Sequence, residues 1–122
     1  MPDSMRVAVY GTLKRGMANH RLLDEARYVG TEVLTSIVLY DMGDYPAAQM
    51  ESSHGIQVEI YEVSAAQICK LDLLEECDDR NPEAGLYKRC KCRTRHGETW
   101  IYIYNRAVDG MPRIDKGSWA PS

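Results

Sequence analysis

Val7-Ala8-Val9-Tyr10-Gly11-Thr12-Leu13-Lys14-Arg15-Gly16 is the stretch on which the reading of this chain turns. Residues suited to a pleated strand run into a glycine, and small and basic residues follow it. The pattern predicts a strand over residues 6–10 that breaks into a tight turn. Gly11 can take φ > 0 and lets a ligand approach the main chain closely. Successive N–H groups of such a turn can converge on an anion or a carbonyl oxygen. Alone, a strand ending in Gly-Thr is more often an ordinary turn, so the weight falls on what other segments bring to it.

Working outward, residues 19–26 read as a short helix, with Asn19 as N-cap, Leu22, Leu23 and Ala26 as the apolar side, and Gly30 closing the region. Residues 33–40 are rich in β-branched types and predict a second strand, closed by the turn-like Asp41-Met42-Gly43-Asp44-Tyr45-Pro46. Residues 56–63 alternate, with Ile56, Val58 and Ile60 opposite Gln57, Glu59 and Tyr61, as in a half-buried strand. Ser64 and Gln67 fit a capping box, so a helix is expected over about 65–76. A polar loop over 78–85 leads to a hairpin of residues 86–94 and 99–104 about His96-Gly97. Trp100, Tyr102 and Tyr104 share one of its faces, and Ile101 and Ile103 the other. Beyond Asn105 the chain is irregular, with Trp119 as the anchor of a docked tail. Five strands and two short helices predict an α+β fold, a small mixed sheet curling towards a barrel. One domain over residues 1–122 is expected, with 1–5 and 120–122 as flexible ends.

The 122 residues are enough for a hydrophobic core without staples. No apolar run nears the ~20 residues of a membrane span, and no signal-peptide pattern opens the chain, so a cytoplasmic protein without a membrane partner is expected. A net charge of −3 argues against nucleic acid, whose binding needs a basic face. The Lys and Arg residues between Lys88 and Arg95 read as a solvated strand face. Cys69, Cys77, Cys90 and Cys92 are too few and too uneven for a disulfide scaffold. Cys90 and Cys92 would share a strand face, which leaves open a zinc site completed by Cys69, Cys77 or His96, although C-x-x-C pairs are lacking.

The predicted helix carries the sharpest clue. On a wheel of about 100° per residue, Glu75 falls about 20° from Ile68, inside the arc bounded by Ile68 and Leu71. Asp72 and Glu76 fall at its margin. A carboxylate turned inward is costly unless paired, and burial raises its pKa towards the range useful for proton transfer. Glu75 is therefore a candidate general base. The competing readings are an ion pair with Arg89 and a frayed last turn that carries Glu75 to solvent. His20, His54 and His96 lack triad-like partners, and neither Thr12 nor Ser64 sits in a nucleophile elbow.

With turn and glutamate identified, the chain resembles the γ-glutamylcyclotransferase-like family along nearly its whole length. The matching elements are Tyr10-Gly11-Thr12-Leu13 with Gly16 and Asn19, then Leu39-Tyr40-Asp41 with Tyr45-Pro46-Ala47, and Glu59-Ile60-Tyr61. Leu71-Asp72-Leu73-Leu74-Glu75, Tyr87-Lys88-Arg89 and Gly117-Ser118-Trp119 complete the series. Two positions depart from the family pattern: Val58 and Glu76 stand where glycine is usual.

The resemblance implies a small mixed α/β barrel-like fold with a cavity at one end. It also implies cofactor-free chemistry in which the α-amine of a γ-glutamyl group attacks its own γ-carbonyl, releasing an amine or amino acid and 5-oxoproline. Glu75 would shuttle the proton, and the amides of Gly11, Thr12 and Leu13 would hold the glutamyl part or the oxyanion. Tyr10, Tyr87 and Tyr104 would either line the pocket or serve as sheet aromatics. The partner implied is a small-molecule γ-glutamyl substrate of the γ-glutamylamine type, bound by a monomer. A silent binding or regulatory module on the same fold is the alternative, and a zinc-bound structural protein a distant third. Leaving-group choice should lie in the loops at 42–53 and 78–85, where Asp78, Asp79 and Glu83 would favour a cationic amine.

Overall fold

The computed structural model describes residues 5–78 and 80–120. Residues 1–4 and 121–122, expected as parts of flexible ends, and Asp79 of the polar loop lie outside them. Met5 belongs to the first strand, β1 (Met5–Val9). Then follow β2 (Arg27–Leu34), β3 (Val38–Asp41), β4 (Pro46–Gln49), β5 (Gly55–Val63), α1 (Ala65–Leu74), β6 (Tyr87–Thr94), β7 (Gly97–Tyr104), β8 (Arg113–Ile114) and β9 (Lys116–Gly117). Two 3-10 turns, His20–Leu23 and Pro82–Ala84, complete the elements.

The main sheet has the order β2-β5-β1-β7-β6, with β9 beside the start of β5. A smaller sheet has the order β4-β3-β8. β1 is the pivot: it runs antiparallel to β5, with Val7 opposite Tyr61, and parallel to β7, with Val7 opposite Trp100. The expected α+β class is therefore found, but the barrel is not closed. Among the described residues β2 and β6 are the outer strands of an open main sheet.

Strand alternation divides the interior into two cores. Ala8, Ile56, Val58, Ile60, Ile101 and Ile103 turn to one side, where they meet Leu39 and Ala48 of the small sheet and Trp119. Val7, Val9, Tyr61, Val63, Tyr102 and Tyr104 turn to the other and meet Ile68 and Leu71 of α1. β5 is thus covered on both faces near its end, where Tyr61 and Val63 are buried, not half-buried throughout. The hairpin faces fall as the alternation predicts. Val58 sits in the first core and does not reach a pocket wall.

Three segments differ from expectation. The 19–26 helix is only a 3-10 turn, and the Asn19 side chain makes no cap bond; its Nδ2 donates instead to Thr12 Oγ1 at 3.0 Å. Gly30 does not end a helix but sits in β2, beside an irregularity between Tyr28 and Gly30 and close to the His96 ring. The single strand over 33–40 is really the end of β2 and the start of β3. Pro46, expected to close a turn, opens β4, a position that costs no ladder hydrogen bond.

The tail is docked. Trp119 is buried, its Nε1 donates to Asp41 Oδ1 at 3.1 Å, and its carbonyl accepts from Lys14 Nζ at 2.7 Å. Removing a buried indole typically costs about 3–5 kcal/mol. Trp119→Ala should therefore lower the urea-unfolding free energy by about that amount, measured by loss of far-ultraviolet circular dichroism. A loss below about 1 kcal/mol would show that the tail is an ornament to the fold.

Candidate active site

β1 ends where the chain meets Pro46. A side chain at Gly11 would place its Cβ 2.7 Å from both Cγ and Cδ of that proline. Real Cβ atoms do not approach so closely, so glycine is required here for space. The expectation of a left-handed Gly11 is not met: the positive φ in this loop belongs to Gly16, at 83°. The turn is fastened by Lys14 N–H to Gly11 O, by Asn19 N–H to Thr12 O and by Arg15 N–H to Glu59 Oε1. Among the described residues, the amides of Gly11, Thr12 and Leu13 donate to no protein acceptor.

The second half of the site is the end of α1. Ser64 and Gln67 form the predicted capping box, which sets where the helix starts. Ile68 and Leu71 are buried, and Glu75 follows on the same side as the residue that caps the C-terminus. The helix is closed by Cys77 N–H to Asp72 O and Glu76 N–H to Leu73 O, the two bonds of a Schellman motif. Its left-handed position is taken by Glu76, with φ of 55°, instead of the usual glycine. Gly85 lies so close to the Glu76 carbonyl, 2.5 Å from a built Cβ, that no side chain fits there.

These two halves line one cavity. Tyr10, Gly11, Thr12 and Leu13 line it together with Glu75 and Tyr87. The cavity measures about 340 Å³ with its open mouth. An outer pocket of about 600 Å³ with its open side shares Thr12, Tyr45, Glu75 and Tyr87 with it. Tyr104, expected at the wall, stands behind it: its ring packs edge-on against Tyr87 at 5.2 Å, in the core. Tyr45, Pro46 and Tyr102 line the cavity although sequence reasoning gave them no role. The facing of Tyr102 with Trp100 and Tyr104 was the available signal. Tyr87 donates its hydroxyl to Pro46 O at 2.8 Å, and Tyr10 donates to the carbonyl of Tyr102.

Arg89 does not pair with Glu75. It lies 3.1 Å from Asp72 Oδ1, with its guanidinium stacked on Trp100. Asp72, expected at the helix margin, is buried and also accepts from the Tyr102 hydroxyl at 2.7 Å. Two carboxylates of α1 thus turn inward, and the cation is taken by the other one. Among the described residues the Glu75 carboxyl group has no hydrogen-bonding or ionic partner, and burial pushes its pKa up to about 7. Burial, reinforced by the Glu75 charge, raises the hydroxyls of Tyr10 and Tyr87 too, so both remain protonated donors at neutral pH.

Among the described residues no three Cys, His, Asp or Glu side chains gather at metal-binding distance, and none of the four cysteines forms a disulfide. Cys92 belongs to the core while Cys69 is exposed on α1, which separates the ligands considered for zinc. Asp78 Oδ1 accepts from the amides of Arg80 and Asn81, and Glu83 pairs with Lys88. Neither lines the cavity or the outer pocket. No helix among the described residues is long and apolar enough to cross a membrane.

Comparison with known proteins places this arrangement in context. The family model described as gamma-glutamyl cyclotransferase, AIG2-like, matches residues 7–121. The gamma-glutamylcyclotransferase family protein YtfP of Escherichia coli K12 is 31% identical over 115 residues, covering 94% of this chain and 96% of its own. The gamma-L-glutamyl-butirosin B gamma-glutamyl cyclotransferase of Niallia circulans is 34% identical over 103 residues, 80% of this chain and 65% of that protein. The solution structure of ytfP from Escherichia coli superposes with a TM-score of 0.74 at 32% identity, over 94% of this chain and 96% of that one. The chain with the glycine turn and the cavity-lining Glu75 thus belongs to the γ-glutamylcyclotransferase, AIG2-like family.

Proposed function

We propose that this protein is a cofactor-free γ-glutamyl cyclotransferase that converts a γ-glutamyl amine, or a γ-glutamylamino acid, into 5-oxoproline and the free amine. The observation that carries this reading is a half-buried Glu75 carboxyl without a partner lining the same cavity as Gly11, Thr12 and Leu13, whose amides have no protein acceptor. The similarity to the Niallia circulans cyclotransferase supports the same reaction class.

In this reading the glutamyl part enters the inner cavity and the leaving amine extends into the outer pocket, which shares Thr12, Tyr45, Glu75 and Tyr87 with it. Glu75 in its ionised form takes a proton from the substrate α-ammonium. The freed amine attacks the γ-carbonyl, closing a five-membered ring whose nucleophile is already tethered at high effective concentration. The carbonyl oxygen becomes an oxyanion, for which the amides of Gly11, Thr12 and Leu13 are the available donors. Collapse breaks the bond to the leaving nitrogen, which receives the proton that Glu75 holds, and the ring nitrogen gives its second surplus proton through the re-ionised Glu75 to the released amine, which departs as an ammonium. No water is consumed, and Glu75 ends ionised, as it began. A pKa near 7 suits a group that must accept and then return a proton at neutral pH. Tyr10 and Tyr87 serve as cavity wall, and Tyr104 supports Tyr87 from behind. We place the enzyme in the cytoplasm as a monomer acting on a free small molecule.

Two predictions test this. First, purified protein should release 5-oxoproline from at least one member of a panel of γ-glutamyl amines and amino acids, with kcat/KM rising as pH climbs through about 7. Glu75→Gln should lose about 10²–10⁴-fold in kcat. Full activity in that variant would exclude Glu75 as the base, and tight ligand binding without product from any substrate would point to a silent binding module. Second, the same variant should be more stable than the wild type at alkaline pH. A carboxyl whose folded pKa is raised from about 4.5 to about 7 favours folding least once both states are ionised, so stability falls as pH rises across that window. Thermal melts should show wild-type stability dropping between about pH 5 and 8, with much of the drop gone in Glu75→Gln. An identical pH dependence in both proteins would contradict a half-buried, unpaired Glu75.

A further inference from the structure

Lys14 is a buried lysine that lines neither the inner cavity nor the outer pocket. Its backbone N–H closes the glycine turn on Gly11 O at 3.0 Å, and its ammonium donates to the carbonyl of Trp119 at 2.7 Å. Burying an ammonium is costly: it pulls the Lys14 pKa below the ordinary lysine value, and the Glu59 carboxylate offsets only part of the shift. An apolar side chain could fill the same space at less cost. What the ammonium adds is the directed bond to Trp119.

Trp119 also reaches the other loop that lines the cavity. Its indole Nε1 donates to Asp41 Oδ1 at 3.1 Å, and the same oxygen accepts from the Gly43 amide at 2.9 Å. Asp41 leads into the turn that the bond from Met42 N–H to Tyr45 O closes, and Tyr45 and Pro46 are cavity residues. The segment carrying Trp119 is itself fixed on the way: Pro112 O accepts from the Asp41 amide, Ile114 pairs with Leu39, and Gly117 lies beside Ile56. One buried residue thus ties the loop after β1 to the loop after β3.

We infer that the segment 112–119 is a clasp on the active site, in which Lys14 and Asp41 are positioning residues that fix, through Trp119, the amides of Gly11, Thr12 and Leu13 relative to Tyr45 and Pro46. The inference rests on the cyclotransferase reading of the same cavity. Ring closure within a folded substrate requires the reacting carbonyl to be held close to its donors, and a displacement of about 1 Å caused far from the chemistry can cost about 10²-fold in rate. The three amides have no protein acceptor of their own, so what grips the turn from outside decides where they point. Lys14 supplies that grip on the glycine turn and Asp41 on the loop before Tyr45, neither of them touching substrate.

The test combines turnover with amide NMR spectra of the full chain. Lys14→Met and Asp41→Ala each cut one arm of the clasp, whereas Asp41→Asn keeps an oxygen that accepts from both donors. Kinetics are measured on a γ-glutamyl amide that the wild type turns over, at a temperature where circular dichroism shows each variant folded. Lys14→Met and Asp41→Ala should lose about tenfold to about 10²-fold in kcat, with KM changed less and the rise of kcat/KM still centred near pH 7. Asp41→Asn should recover most of the loss. Asp41→Ala should also move the amide resonances of Thr12 and Leu13, and Lys14→Met that of Tyr45, because each cut is felt through Trp119 at the other loop. Trp119→Phe keeps a buried ring and removes the indole N–H, so it should reproduce Asp41→Ala, and it carries the test if that variant does not fold. Folded variants with wild-type kcat and unmoved amides at the other loop overturn the clasp and leave the cyclotransferase reading standing, the segment then serving stability alone. No 5-oxoproline from the wild type on any substrate of the panel overturns the cyclotransferase reading and, with it, the clasp as a device of catalysis.

Discussion

The packing of Gly11 against the ring of Pro46 is the constraint on which the arrangement depends. β1 runs between β5 and β7, buried on both faces, and two residues past its end Gly11 lies where no side chain fits. Because that space is given to proline, β4 closes on the end of β1 and the small sheet is drawn against the large one. Past the end of β1 the chain turns, and the residues of the turn line a cavity, the amides of Gly11, Thr12 and Leu13 having no ladder partner. Thr12, Leu13 and Glu59 then fasten the loop from behind through Asn19, His20 and Arg15. Cavity, turn and sheet contact all follow from one missing Cβ.

The electrostatics of the site follow from how two carboxylates on one helix divide their surroundings. Asp72 receives Arg89 and the hydroxyl of Tyr102 and so is a satisfied buried anion. Glu75, almost a turn further on, receives nothing and answers burial by holding its proton more tightly. A buried acid without a partner destabilises the folded state above its raised pKa, which a structural role would not retain. Coupling of strain and charge continues at Glu76, where a left-handed backbone position carries an acid instead of glycine. Sites that must bind or react often keep such locally unfavourable features, supported by the rest of the fold.

Much of this is legible in the amino-acid sequence itself. The capping box and the helical period together locate Glu75 on the buried side of α1, because a cap fixes where the helix begins and the period does the rest. Alternation in the hairpin sorts its aromatic and aliphatic residues correctly, since neighbouring side chains of a strand must point to opposite faces. What escapes a local reading is settled by tertiary contacts. Gly30 and Pro46 look like breaks when read locally, yet one sits in an outer strand beside the His96 ring and the other opens a short strand. Arg89 is equally compatible with Glu75 and Asp72 by spacing, and only the placement of β6 beside the helix decides between them. Tyr104 reads correctly as inward, but whether an inward tyrosine touches a cavity or stands one layer behind depends on Tyr87, which the sequence places no closer.

The central claim is that Glu75 is a half-buried cavity carboxyl with no partner, poised to exchange a proton near neutral pH. Carbon-13 NMR titration of its side-chain carboxyl, assigned by comparison with Glu75→Gln, tests that claim directly. The expected midpoint is about 7. A midpoint near 4.5, the ordinary value for a solvated glutamate, would contradict it.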